Sequence, residues 1–191
     1  YGPRVETKRE PVEDLRTAIA EHRRILLLGD PGSGKTTTLW RLAYEYAQAA
    51  RRDKKAPLPV FVPLSGYTDD GSFDVYAARH LGALAPHLQA YRASGRLVLL
   101  LDGLNEMPQD DYADRVGRIR AFLDRCPDEG VVVTCRVLDY VEKLEGLQRI
   151  EVSPLDQHRI RAFLHHYLGE TAGERLFWAV CGREVSELWE T

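Results

Sequence analysis

ILLLGDPGSGKTT, residues 25–37, sets four apolar residues ahead of a glycine-rich loop and a pair of threonines. A short apolar run bounded this way reads as a buried strand. Beyond the loop, Leu39, Leu42, Ala43, Tyr46, Ala47 and Ala50 recur at the spacing of one helix face. The loop therefore joins the end of a strand to the start of a helix. Its glycines, Gly29, Gly32 and Gly34, let the backbone turn tightly and leave N–H groups uncovered. The helix N-terminus adds the positive end of its dipole, so the loop is built to hold an anion.

Gly29-Asp30-Pro31-Gly32-Ser33-Gly34-Lys35-Thr36 also matches G-x-x-x-x-G-K-[ST] in full, in the strand-before, helix-after context which that pattern requires. The expectation is a nucleotide cradle running from Gly29 to Thr37, with Thr37 as its last member. Lys35 neutralises the β- and γ-phosphates, and the Thr36 hydroxyl ligates Mg²⁺.

A second stretch, LVLLLDGLNEM (97–107), carries five apolar residues into Asp102 and then a second acid, Glu106. Charge at the end of a buried strand is costly unless it is paired. A Mg²⁺ ion held by the nucleotide provides that pairing for Asp102, which joins Thr36 as the expected metal ligand. Glu106, past the small Gly103, is placed to orient the water that attacks the γ-phosphate. A third stretch, VVVTCR (131–136), closes a strand on Arg136. Open α/β sheets bind ligands beyond the carboxyl ends of their strands, so Arg136 is expected to sense the γ-phosphate.

The rest of the chain supplies the frame. Residues 11–22 carry Val12, Leu15 and Ile19 at helical spacing, and LPVFVPL (58–64) reads as a strand. Residues 73–92 mix helix and loop; Tyr112, Val116, Ile119 and Leu123 mark a helix. A helical stretch near 138–146 precedes a strand at 149–152. The alternation predicts an α/β fold, a mostly parallel five-stranded sheet with helices on both faces, over residues 1–152. The rhythm changes at Ser153-Pro154. Residues 153–191 then read as the beginning of a helical subdomain, with Ile160, Phe163, Leu164, Tyr167 and Leu168 on one face.

Composition narrows the classes of partner. With 26 basic against 29 acidic residues, the net charge of −3 gives no electrostatic reason to expect nucleic acid. The three cysteines include no CxxC pair, which fits a reducing cytoplasm better than a disulfide scaffold. The six histidines show no ligand spacing. No apolar run approaches the ~18 residues of a membrane span. A chain beginning at Tyr1 rather than Met reads as part of something longer.

Taken in order, GDPGSGKTT, LLLDGLNEM and VVVTCR resemble the Walker A, Walker B and sensor 1 motifs of the NACHT ATPases, which belong to the STAND class of signalling P-loop NTPases. The opening YGP and the segment EVSPLDQHRIRAFLHHYL also resemble bacterial NACHT proteins. The resemblance implies an extra strand, here VVVT, between the P-loop strand and the Walker B strand. It implies an adenine-nucleotide switch that rests with ADP, self-associates after exchange for ATP, and resets by slow hydrolysis. It also implies flanking effector and sensor domains, and a role in signalling or antiphage defence. Two positions depart from the family pattern: Asn105 stands where an acid is common, and Cys135 where serine is usual. The chain also ends at LWET, about where the helical-domain proline motif is expected. Two other readings use the same loop. A small-molecule kinase would need an arginine-bearing lid that the sequence does not display. A module that binds nucleotide without turnover is favoured by the neutral Asn105.

Overall fold

The computed structural model describes residues 12, 14–68, 71–125, 127–140, 144, 146–153 and 156–181. In chain order these form α1 (Leu15–His22), β1 (Arg24–Leu28), α2 (Lys35–Arg52), β2 (Leu58–Pro63), α3 (Phe73–Arg79) and α4 (Leu88–Ala93). There follow β3 (Leu97–Asp102), α5 (Tyr112–Asp124), β4 (Gly130–Cys135), β5 (Gln148–Glu151) and α6 (Gln157–Cys181). The strands make one five-stranded sheet in the order β2-β3-β4-β1-β5. All its pairings are parallel. The fold class expected from the sequence is thus the one observed. β4 lies between β1 and β3, so the strand carrying VVVT separates the P-loop strand from the strand ending in Asp102.

Two-sided burial explains why the central strands β3 and β4 carry continuous apolar runs rather than alternating ones, while β5 at the sheet edge is polar and largely exposed. Leu97, Leu99 and Leu101 of β3 face a core shared with Val116, Ile119, Phe122 and Leu123 of α5 and with Phe73 and Tyr76 of α3. Val98 and Leu100 point the other way, into a core with Ala18 and Ile19 of α1 and Leu39, Leu42 and Tyr46 of α2. The register aligns the strand ends. Leu28 pairs with Cys135, Leu101 with Val133, and Asp102 with Pro63. Every loop carrying a candidate residue therefore leaves the sheet from the same edge.

Several expectations shift in detail. α1 starts at Leu15, where the Asp14 side chain accepts from the Arg16 N–H at 2.8 Å and caps the helix. Pro11 and Glu13 lie outside the described residues. The helix expected near 138–146 is a turn at 137–139, and 141–143 and 145 lie outside the described residues. The 73–92 stretch resolves into α3, a 3₁₀ segment Gly82–His87 and α4.

The chain divides into two compact units, Tyr1–Val152 and Ser153–Thr191. In the second, the helical stretch expected after Ser153-Pro154 is interrupted at Gly169, whose φ of 76° and ψ of 166° are not helical. The two stretches then fold against each other closely at Gly173, where a Cβ would lie 2.8 Å from the Leu164 carbonyl. Glu174 fastens them, accepting from Arg161 at 2.6 and 2.8 Å and from the Trp178 indole at 2.9 Å, with His165 Nε2 at 2.8 Å. These hydrogen bonds, led by Arg161, hold its carboxyl down to about 2. Phe163, Tyr167 and Leu168 are exposed, while residues 182–191 and Pro154 lie outside the described residues. Among the described residues, no helix is long and apolar enough to cross a membrane.

Phe122 is the joint between sheet and helices. It is 1% exposed, meets the Phe73 ring edge-on at 5.0 Å, and lies under the Arg92 guanidinium. Phe122→Ala should cost about 3–5 kcal/mol, read as a lowered denaturant midpoint with an unchanged slope.

Candidate nucleotide-binding site

The loop between β1 and α2 takes its shape from glycines in the left-handed region. Gly32 has φ of 75° and Gly34 has φ of 89°, and a Cβ at either would meet nothing within 4 Å. An open, concave backbone results, with α2 beginning directly after Gly34. Gly29 is needed for a different reason. A Cβ there would come within 2.5 Å of the Ser33 hydroxyl, which is buried and without a hydrogen-bond partner beneath the loop. Lys35 Nζ arches over the loop, donating to the carbonyls of Gly29 at 2.8 Å and Asp30 at 2.9 Å. An ammonium has three donors, so one remains for an anion.

Opposite the loop stand the ends of β3 and β4. After Asp102 the chain turns at Gly103, with φ of 78°, into a 3₁₀ turn, Leu104–Glu106. Leu104 and Met107 are buried, at 1% and 2% exposure. Anchoring these two apolar residues forces the pair between them, Asn105 and Glu106, to face the cleft. The loop beyond is fixed as well, because the buried Arg115 donates to the carbonyls of Pro108, at 3.1 Å, and Asp110. The Glu106 carboxylate folds back over Gly103, where an added Cβ would lie 2.9 Å from its Oε2. This contact is the physical reason for a small residue directly after the acid.

Thr134, which is 1% exposed, joins the two strand ends. Its hydroxyl donates to Asp102 Oδ1 at 2.7 Å and accepts from the Gly103 N–H at 2.7 Å. Sequence reasoning gave Thr134 no role, although a hydroxyl closing a run of valines was the available signal. Asn105 Oδ1 accepts from the backbone N–H of Arg136 at 3.2 Å. Burial pushes the Cys135 thiol up to about 11, helped by Asp139 and opposed by the N–H groups of Arg136 and Asn105. The thiol therefore fills space as a neutral group at physiological pH. The Arg136 guanidinium is half-exposed and only loosely paired, 3.8 Å from Asp139.

These elements enclose a cleft of about 290 Å³. Pro31, Gly32, Gly34, Lys35, Thr36 and Thr37 line one side; Asp102, Gly103, Asn105, Glu106, Thr134 and Arg136 line the other. Of the residues expected to form the site, Gly29, Asp30 and Ser33 shape the loop without lining the cleft. Among the described residues, no cluster of three His, Cys, Asp or Glu could hold a metal ion. What the cleft does offer a hard cation is oxygen: the Thr36 hydroxyl and the Asp102 carboxylate, whose Oδ2 is left by Thr134. That donor set fits a Mg²⁺ ion completed by phosphate and water.

A parallel sheet, a glycine cradle at a helix N-terminus and a strand-end carboxylate facing it define a nucleotide-binding P-loop NTPase module. The family model for the NACHT domain matches residues 23–171, and the chain belongs to the NACHT family. None of the curated proteins matches the sequence. Among solved structures, the E. coli MS115-1 HORMA:CdnC:Trip13 complex is similar at 20% identity and a TM-score of 0.51, over 91% of this chain and 65% of that one. A signal transduction ATPase with numerous domains (STAND), bearing a tetratricopeptide repeat sensor, from Pyrococcus horikoshii, is 17% identical over 93% of this chain, with a TM-score of 0.49. PCH-2 of C. elegans is 16% identical over 92%, with a TM-score of 0.43. This chain spans only 28% and 46% of the latter two proteins. At such identities the likeness speaks for the fold alone.

The Gly103 geometry yields a direct test. In Gly103→Ala the new methyl meets both a left-handed backbone and the Glu106 carboxylate, at a cost of about 1–3 kcal/mol. The variant should show lowered stability in denaturant melts and weakened triphosphate binding in titration calorimetry. Wild-type behaviour in both would contradict the packing described.

Proposed function

We propose that this chain is the nucleotide-binding module of an ATP/ADP-dependent signalling switch that slowly hydrolyses ATP. The observation that carries the reading is the convergence of Lys35, Thr36, Asp102, Glu106 and Arg136 on one cleft at the carboxyl edge of a parallel sheet. In this reading the backbone of residues 29–37 holds the β- and γ-phosphates, with Lys35 turning its remaining donor toward them. Thr36 and Asp102 hold Mg²⁺, which supplies charge neutralisation at the phosphates when bound. Thr134 keeps Asp102 aimed into the cleft. Glu106 accepts a hydrogen bond from the attacking water and orients it. Arg136 senses the γ-phosphate. Its exposed pairing with Asp139 is worth only about 0–1 kcal/mol, so a more highly charged ligand readily recruits it.

A switch requires ADP and ATP to favour different conformations by unequal affinity. Arg136 supplies that inequality, since ADP has no γ-phosphate for it to grip. Residues 1–152 form the nucleotide-binding domain and 153–191 the beginning of a helical subdomain. Family membership supports self-association through this module and coupling to effector and sensor domains, in signal transduction or antiphage defence. The buried, neutral thiol of Cys135 fits a reducing, cytoplasmic setting. One observation favours a second reading, binding without turnover: Asn105 places a neutral amide where a second proton acceptor would stand.

Lys35→Ala should reduce nucleotide affinity by about a hundredfold or more, the scale of a lost charge-assisted phosphate contact. Retained affinity in calorimetric titration would disprove the phosphate placement. Glu106→Gln should hold Mg-ATP while releasing phosphate at least about a hundredfold more slowly than wild type, whose own turnover should lie below ~1 s⁻¹. Phosphate release equal in both proteins would remove Glu106 from the water, and none in either would favour the second reading.

A further inference from the structure

Asn105 does more than leave out an acid. Arg136 is the first residue beyond β4, past the last rung that Cys135 makes with Leu28, so the sheet ladder no longer holds it. Asn105 Oδ1 takes over by accepting the Arg136 backbone N–H at 3.2 Å. A backbone N–H can be met only by an acceptor, which fixes the amide with its oxygen toward Arg136 and its NH₂ away. Asn105 is in turn the middle residue of a 3₁₀ turn locked by the buried Leu104 and by Met107 just beyond. The next residue in that turn is Glu106. The Arg136 backbone is therefore joined by one hydrogen bond to the short turn that carries Glu106.

We infer that Asn105 is a positioning residue that ties Arg136 to Glu106, so that engagement of a γ-phosphate by the arginine sets the carboxylate that orients the water. The inference rests on the assignment of Arg136 to the γ-phosphate. The amide suits this task because it holds the N–H without bringing a further negative charge into a cleft that already carries Asp102 and Glu106. A carboxylate at position 105 keeps the acceptor; an aliphatic side chain of similar size removes it.

The test measures affinities of the Mg²⁺ complexes of ADP and of a non-hydrolysable ATP analogue, by titration calorimetry on the full chain. The proteins compared are wild type, Asn105→Leu, Asn105→Asp, Arg136→Ala and the Asn105→Leu/Arg136→Ala double variant. Asn105→Leu should weaken the analogue relative to ADP by about tenfold, the scale of one hydrogen bond. Asn105→Asp, which keeps the acceptor but adds a charge to the cleft, should lose less of that relative affinity than Asn105→Leu. The double variant should lose no more than Arg136→Ala alone, because both changes break one chain of contacts. An unchanged ratio in Asn105→Leu, equal losses in the Leu and Asp variants, or additive losses in the double variant would each overturn the tie. If Arg136→Ala itself left the ratio unchanged, the γ-phosphate assignment of Arg136 would fall first, and the tie with it.

Discussion

One hydroxyl sets the geometry of the whole cleft. Thr134 Oγ1 stands between the ends of two parallel strands, giving its proton to Asp102 and accepting one from the Gly103 N–H. A carboxylate can only accept and an N–H can only donate, so the hydroxyl is satisfied in one orientation. That orientation pins one Asp102 oxygen and leaves the other to the cleft. It also fixes the start of the left-handed turn at Gly103, from which Asn105 and Glu106 take their places. Valine at position 134 would preserve the shape and leave the buried Gly103 N–H unmatched, a loss of about 1–3 kcal/mol.

Why a strand as apolar as β3 should end in charge then has an answer in layers. Leu97 to Leu101 are buried on both faces, and Asp102 is the first residue to emerge, half-buried where the sheet meets the cleft. Thr134 removes part of the desolvation burden by hydrogen bonding, and a cation shared with Thr36 would remove the rest. The apolar run is what makes the carboxylate useful. Pairing of Leu97–Asp102 with β2 on one side and of Val98–Leu101 with β4 on the other leaves the strand end almost no freedom to drift.

How much of this was legible in the sequence follows from which forces are local. The P-loop, the buried strands and the helices on both faces were readable because glycine conformation and hydrophobic period act within a few residues. The order of the strands was not carried by any such pattern; the place of VVVT between its neighbours came only from the family resemblance. The break at Gly169 leaves no mark in the apolar period, which runs on either side of one residue with positive φ. Thr134 was passed over, and Asn105 was read only as a missing acid. Both act through partners 31 or 32 positions away, a distance that no local rule spans.

That change of meaning for Asn105 bears on how such a switch holds its states. With an acid at 105, the carboxylate would compete with Glu106 for the water and with the phosphates for cations. With an amide, the position is electrostatically silent, and its one hydrogen bond is spent on the backbone that carries Arg136. In the proposed reading, slow cleavage and firm sensing would then have one cause. A switch whose active state must outlast a single encounter needs its triphosphate form to persist, and persistence requires that recognising the γ-phosphate be easier than removing it. On the proposed reading, the cleft would meet that requirement by using one side-chain position for alignment instead of proton transfer.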